Sequence, residues 1–212
     1  NGRWREINYR LHPTSSSEIF TADQQRSPVT IDIGSKQVTF VCKGKKLTIA
    51  KDIQLLHIGN DGIETEIGQS NWTNFSAGDD GLIVRDFYPN VDLVFSLRES
   101  KIETDFILKQ KLNLQDGNLV MRQQFEMESG LRVHSSDQNG HAEQFITDDK
   151  NTIYFTIEKC YAFSNDDAST ALPVSSGFSH SGKFNVVTPV NWLNSPSTIY
   201  PVVIDPVVTA AD

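Results

Sequence analysis

Asp86 to Leu108 reads DFYPNVDLVFSLRESKIETDFIL. Val91, Leu93, Phe95 and Leu97 alternate with Asp92, Val94 and Ser96, a period of two. Beyond Arg98-Glu99-Ser100 the alternation resumes, with Ile102, Thr104, Phe106 and Leu108 set against Lys101, Glu103, Asp105 and Ile107. Successive side chains on a strand point to opposite faces. Two such runs joined by a short polar break therefore predict a β-hairpin that buries one face. Pro89-Asn90 supplies the turn ahead of it, because proline fixes φ and asparagine tolerates turn geometry. The stretch carries structure and no chemistry.

Working outward, the N-terminal side holds more short strands. Trp4, Ile7 and Tyr9 are the anchors of an edge strand, and His12 to Pro28 is a polar connection docked through Ile19-Phe20. Val29 to Ile33, Gln37 to Cys42 and Lys46 to Ala50 predict three strands, with turns at Gly34-Ser35 and Lys43-Gly44. Ile53 to Ile58 predicts a fourth, ending at the Gly59-Asn60-Asp61-Gly62 turn, and Ile63 to Ile67 an exposed strand after it. Asn71 to Asp80 reads as a polar loop carrying Trp72 and Phe75.

On the C-terminal side, Asp116-Gly117 lies between KQKLNLQ and NLVMRQQF and predicts a hairpin with a type I′ turn. Ser129-Gly130 and Asn139-Gly140 punctuate short strands at Leu131 to His134 and Glu143 to Thr147, and Thr152 to Glu158 adds another. Ala162 to Ser181 is poor in large apolar residues and reads as loop. Phe184 to Val187 and Thr198 to Ile204 close the fold. No segment of ten or more residues has a 3.6-residue period. The expectation is an all-β protein: a β-sandwich or multi-sheet antiparallel fold of many short strands with little helix. Residues 1–212 form a single β-rich module, with a soft subdivision near 68–81.

A net charge of −8 argues against nucleic acid or an anionic membrane surface as partner. No apolar run approaches the roughly 20 residues of a membrane-spanning helix. Cys42 and Cys160 each lie in strand-like sequence, and two readings stand: a disulfide outside the cell, or two separate buried thiols. His12, His57, His134, His141 and His180 show no zinc-site spacing, and His57, inside QLLHI, reads as a packed or capping histidine. The acid pairs Asp79-Asp80, Asp148-Asp149 and Asp166-Asp167 lack the spacing of a linear calcium loop. There is no GxSxG elbow, Walker loop or GxGxxG, so no catalytic residue, cofactor or metal is assigned. Trp72, Phe75 and Trp192 fall in loop-like sequence. Such aromatics bind glycans or proteins, or act as lids over the core.

Two segments carry a resemblance. VRDFYPNVDLVFSLRESKIETDFIL, residues 84–108, resembles the "YxdvyPNvDLqY…G.lkeDfIL" stretch of large secreted bacterial surface proteins of the wall-associated, Rhs/YD-repeat type. Asn191-Trp192-Leu193 and TIYPVVIDP, residues 198–206, resemble the "WL…YPVtIDP" closure of the same region, in the same order. The resemblance implies a secreted, cell-surface location and a β-rich module in the N-terminal part of a longer chain. It implies neighbouring domains of the same polypeptide, secretion machinery or other surface proteins as partners, and it carries over no catalytic residue. No YD repeat occurs in these 212 residues, which implies a piece of a longer protein or a module that works alone. Within the matched strands, Asp92 and Asp205 read either as buried acids satisfied by backbone donors or as polar-face residues. Three function classes follow: a non-catalytic linking module first, then a glycan- or protein-binding module using the loop aromatics, then an enzyme assembled from separate strands.

Overall fold

The computed structural model describes residues 10–135, 143–164, 167–179 and 181–211. The anchors Trp4, Ile7 and Tyr9, the Asn139-Gly140 turn, His141, His180 and Asp166 lie outside them. The described strands form two antiparallel sheets, one of nine strands and one of eleven, and the fold is all-β. The chain alternates between the sheets. β1 (His12–Pro13), β2 (Ile19–Ala22), β3 (Val29–Asp32), β4 (Gln37–Cys42), β5 (Lys45–Ile58) and β6 (Glu64–Glu66) belong to the first. The chain then crosses to the second sheet for β7 (Phe75–Gly78), β8 (Gly81–Tyr88), β9 (Val91–Arg98) and β10 (Lys101–Leu108). β11 (Asn118–Met127) returns to the first sheet. β12 (Arg132–Ser135), β13 (Gln144–Thr147), β14 (Ile153–Ile157), β15 (Tyr161–Ser164) and β16 (Asp167–Pro173) extend the second. β17 (Ser175–Phe178) and β18 (Lys183–Pro189) rejoin the first, followed by a single helical turn, α1 (Val190–Leu193). β19 (Val202–Asp205) and β20 (Val207–Ala210) end in the second.

The predicted hairpin is β9–β10, paired without interruption from Arg98↔Lys101 to Val91↔Leu108. Val91, Leu93, Phe95, Leu97, Ile102, Thr104, Phe106 and Leu108 are all buried, as the alternation predicts. Pro89-Asn90 forms the turn from β8, with Asn90 in the left-handed region at φ 64°. Burying a phenylalanine contributes about 1.5–3 kcal/mol, and Phe95 and Phe106 are both sealed from solvent.

The sheets close on each other through named contacts. Phe40 on β4 meets Phe155 on β14 at 5.6 Å between ring centres. Phe20 on β2 meets Phe75 on β7 edge-on at 6.0 Å. Tyr88, at the end of β8, crosses to β5, where its hydroxyl accepts from Leu55 N–H at 3.2 Å and donates to Ile53 C=O at 3.1 Å. Burial pushes that phenol up to about 12. The ring is buried apolar mass, and the oxygen satisfies two backbone groups that would otherwise be orphaned.

Several expectations are corrected, beginning with the strands ahead of the first crossing: His12 to Pro28 is not all connection, since it contains β1 and β2. Lys46–Ala50 and Ile53–Ile58 belong to one strand, β5, bent where Ala50 and Asp52 adopt φ of 59° and 48°. The ladder to β11 slips there, and the buried Gln123 amide fills the gap by accepting from Ala50 N–H at 2.9 Å. Side-chain replacement of a ladder bond leaves no sequence period to read. Second, KQKLNLQ is not a hairpin arm: β11 pairs with β5 and β18, and the segment before it is the crossing between sheets. Asp116-Gly117 does turn, with Gly117 at φ 72°, but a Cβ there would lie 2.0 Å from Ile58 C=O. The glycine is required by backbone approach to β5 rather than by a hairpin. Third, Ala162–Ser181 is not loop, because it contains β15, β16 and β17. Fourth, the Asn71–Asp80 loop contains the short strand β7, and the closing strand is confined to Val202–Asp205.

β10 is the axis of the second sheet. One side pairs with β9 along its whole length. The other pairs with β20 at Lys101–Glu103 and with β19 at Phe106–Leu108. Pro206 interrupts the closing strand between those two runs, and its carbonyl still accepts from Thr104 N–H at 3.1 Å. Beyond it the sheet splits, with β15–β16 continuing from β19 and β14–β13–β12 from β20.

Candidate functional site

The residues singled out in the sequence are scattered. Trp72 is buried at 6% exposure, its ring edge-on to Phe87 at 5.0 Å and stacked towards Phe95 at 6.3 Å, so it offers no open face. Phe75 is half-buried on β7 against Phe20. Trp192 is half-buried in α1, where its carbonyl accepts from Thr198 Oγ1 at 2.6 Å. None of these three rings contacts another of the three. Trp72 belongs to the buried core, and Phe75 and Trp192 pack against it.

Cys42 and Cys160 are separate buried thiols. Cys42 Sγ donates to Ala211 C=O at 3.0 Å, and burial pushes the Cys160 thiol up to about 12, which keeps it protonated and unreactive. His57 caps the Asp116 carbonyl at 2.7 Å. It borders a recess of about 500 Å³ together with Asn60, Asp61, Ile63 and Thr65. Among the described residues no group of three or more His, Cys, Asp or Glu is arranged to hold a metal ion. No helix among them is long and apolar enough to cross a membrane.

The polar feature that the fold does assemble lies on the outer face of the second sheet, where β10, β19 and β15 run side by side. The register Phe106↔Ile204 and Glu103↔Val207 places Asp105 directly opposite Asp205. On the far side of Asp205 stands Tyr161, stacked towards Phe163 at 6.2 Å. Asp205 Oδ1 is sealed from solvent and has no hydrogen-bond partner. Burial, then the negative charge of Glu103, push the Asp205 carboxyl up to about 6, with Glu158 adding to the rise. A hydrogen bond with Asp105 and the Lys101 charge partly offset it. Glu158 responds differently. Burial pushes it up, but donation from Lys101 Nζ and Thr209 Oγ1, each at 2.6 Å, brings it below the usual carboxylate range.

Asp92 and Asp205 therefore part company. Asp92 Oδ1 accepts from the Asp86 backbone N–H at 2.7 Å and lies 3.0 Å from Lys109 Nζ, a near-buried acid with its donors in place. Asp205 faces another carboxyl. Sequence reading placed Asp105 on the outward face of its strand but had no means of pairing it with a residue 100 positions away. Tyr161 and Phe163 fell in or beside a segment read as loop. His57 lies on β5 and the opposed carboxyls in the other sheet, so the fold does not bring the histidine and the acid pair together. No protein-family model, no curated protein and no solved structure matches this chain.

Proposed function

We propose that the chain is a non-catalytic structural and linking module of a large secreted, cell-surface bacterial protein of the Rhs/YD-repeat type, of the toxin-delivery or adhesin kind. One observation carries the reading. The two segments that bear the resemblance, distant in sequence, are neighbours in space: β10 is hydrogen-bonded to β19 and β20 over most of its length. The strand that closes the chain thus completes the sheet begun by the central hairpin, as a module that must fold as one unit between neighbours requires. Its partners in this reading are the flanking domains of the same polypeptide.

Binding of glycan or protein through Trp72, Phe75 and Trp192 has less support, because the Trp72 ring is enclosed by Phe87 and Phe95. The test is the intact mass of the native gene product with peptide mapping across Asp212. A product far above 23.7 kDa with YD-type repeats downstream is expected. A native chain ending near Asp212 overturns the proposal.

A further inference from the structure

We propose that a recess at the bend of β5 binds a small hydroxylated carboxylate through the Lys36 and Lys183 ammonium groups and the Trp72 indole N–H. The recess measures about 390 Å³, within the range of small-ligand sites. Four stretches distant in sequence build it. Lys36 comes from the β3–β4 turn, Asp52 and Gln54 from β5, Ser70 and Trp72 from the crossing to β7, and Lys183 from β18. Lys36 and Asp52 both hold positive φ, at 54° and 48°. Side chains other than glycine adopt that conformation at a cost, and it persists where the surrounding structure fixes it.

Trp72 supplies the deciding observation. More than nine-tenths of the residue is buried, and Phe87 and Phe95 enclose its ring. A buried indole nitrogen is a donor only and ordinarily finds a partner. Among the described residues the Trp72 N–H has none. Nor is its nitrogen one of the sealed polar atoms left without a partner, so it sits on the small open part of the residue. The recess is what that part opens on. Trp72 therefore offers a donor at its edge, not a face for stacking.

The charged groups converge on the same ligand chemistry. Lys45, Lys51, Lys101 and Lys109 are each bonded to a carboxylate, whereas among the described residues Lys36 and Lys183 are in no ion pair. Glu64 feels the Lys183 charge, but Arg122 holds it through two hydrogen bonds at 2.8 and 2.9 Å. Lys51 feels Asp52 and is held by Glu126. The recess thus presents two positive charges and one negative in a protein of net charge −8. Cations of this kind recruit an anion by local field. The Asp52 carboxylate is an acceptor only, so it selects a ligand that also carries hydroxyl donors. The larger recess at His57 has no such surplus. His57 is spent on the Asp116 carbonyl, Asp61 on the Ile63 amide and Asp116 on the Asn60 amide.

Titration of the full chain with sodium glucuronate, followed by ¹H–¹⁵N NMR, tests the site. The chain has three tryptophans, and Trp72→Phe identifies the Trp72 indole cross-peak. Through-bond spectra of the unaltered protein identify it if that variant does not fold. The peak is expected to move with a Kd of about 1 mM, and glucose, which lacks the carboxylate, and acetate, which lacks the hydroxyls, to bind at least about tenfold more weakly. Lys36→Gln and Lys183→Gln are each expected to weaken glucuronate binding about threefold to tenfold, the loss of one charged hydrogen bond at a half-open site. Neither should move Tm, because neither ammonium has a partner in the fold. A Trp72 indole peak that stays in place up to about 50 mM glucuronate, glucose or acetate binding as tightly, or an affinity unchanged in both lysine variants overturns the proposal. These outcomes do not depend on what lies beyond residue 212, so the site and the linking-module reading fail separately.

Discussion

The β9–β10 hairpin and the β15–β16 ribbon lie on either side of the same closing strand, yet they are held by different forces. In the hairpin each inward position is a large side chain or Thr104, and the ladder runs unbroken through eight pairs. In the ribbon the pairing slips between Ala162 and Ser164, and the repair is made by hydroxyls. Thr170 Oγ1 accepts from Ser164 N–H at 2.8 Å and donates to Ser164 C=O at 3.1 Å, acting as a substitute strand neighbour. Ser164 Oγ in turn donates to Ile199 C=O at 2.9 Å and accepts from Ile199 N–H at 2.6 Å. One region is specified by what it buries, the other by what it bonds.

The largest effect should come from the hairpin. Phe95 is fully buried and stacked towards Trp72. Phe95→Ala is expected to cost about 3–5 kcal/mol, the range for deleting a core aromatic, measured by urea denaturation of the variant against the parent. A loss near 1 kcal/mol would mean that the hairpin face is less tightly packed than its burial indicates, and the contrast between the regions would fail. In the ribbon, Ser164→Ala removes both bonds to Ile199 and is expected to cost about 1–3 kcal/mol. A hydroxyl-dependent ribbon requires a measurable loss there, and an unchanged midpoint would show that the pairing of β15 with β19 suffices alone.

The same contrast explains what could be read from the sequence. The hairpin was legible because burial imposes a period of two on large side chains, as Val91 through Leu108 display. The ribbon was not, because hydroxyls that replace ladder bonds obey no period, and SSGF or DASTALP resembles loop composition. The β5 bend hid for a related reason, since Gln123 completes a ladder 73 positions from Ala50. Asp116-Gly117 misled because a glycine needed for close approach to Ile58 looks identical to one needed for a hairpin turn. As for the candidate site, the alternation put Asp105 on the outward side of its strand, while Asp205 stayed open to a buried or a polar-face reading. Their opposition depends on a register between strands 100 residues apart, which local patterning does not encode.

Smaller changes in the ribbon sharpen the distinction between bonding and burial. Thr170→Val keeps the shape and β-branching but deletes both bonds to Ser164, so a loss of about 0.5–1.5 kcal/mol is expected. Native-state hydrogen exchange should place the Ser164 amide among the faster strand amides of this variant, while Phe95 and Phe106 amides stay as slow as in the parent. Equal acceleration in both places would join the two regions into one cooperative unit.

The smallest effect is expected one residue further on. Ala171 is exposed, between Thr170 and the half-buried Leu172. Because the ribbon depends on backbone pairing and hydroxyls, its solvent face should accept a β-branched residue. Ala171→Thr is expected to change stability by less than about 0.5 kcal/mol, in the stabilising direction. The midpoint of urea denaturation resolves a change of that size when parent and variant are measured side by side. A loss above about 1 kcal/mol would place Ala171 against something in the folded protein. β16 would then be held by burial as the hairpin is, and the line between the two regions would have to be redrawn.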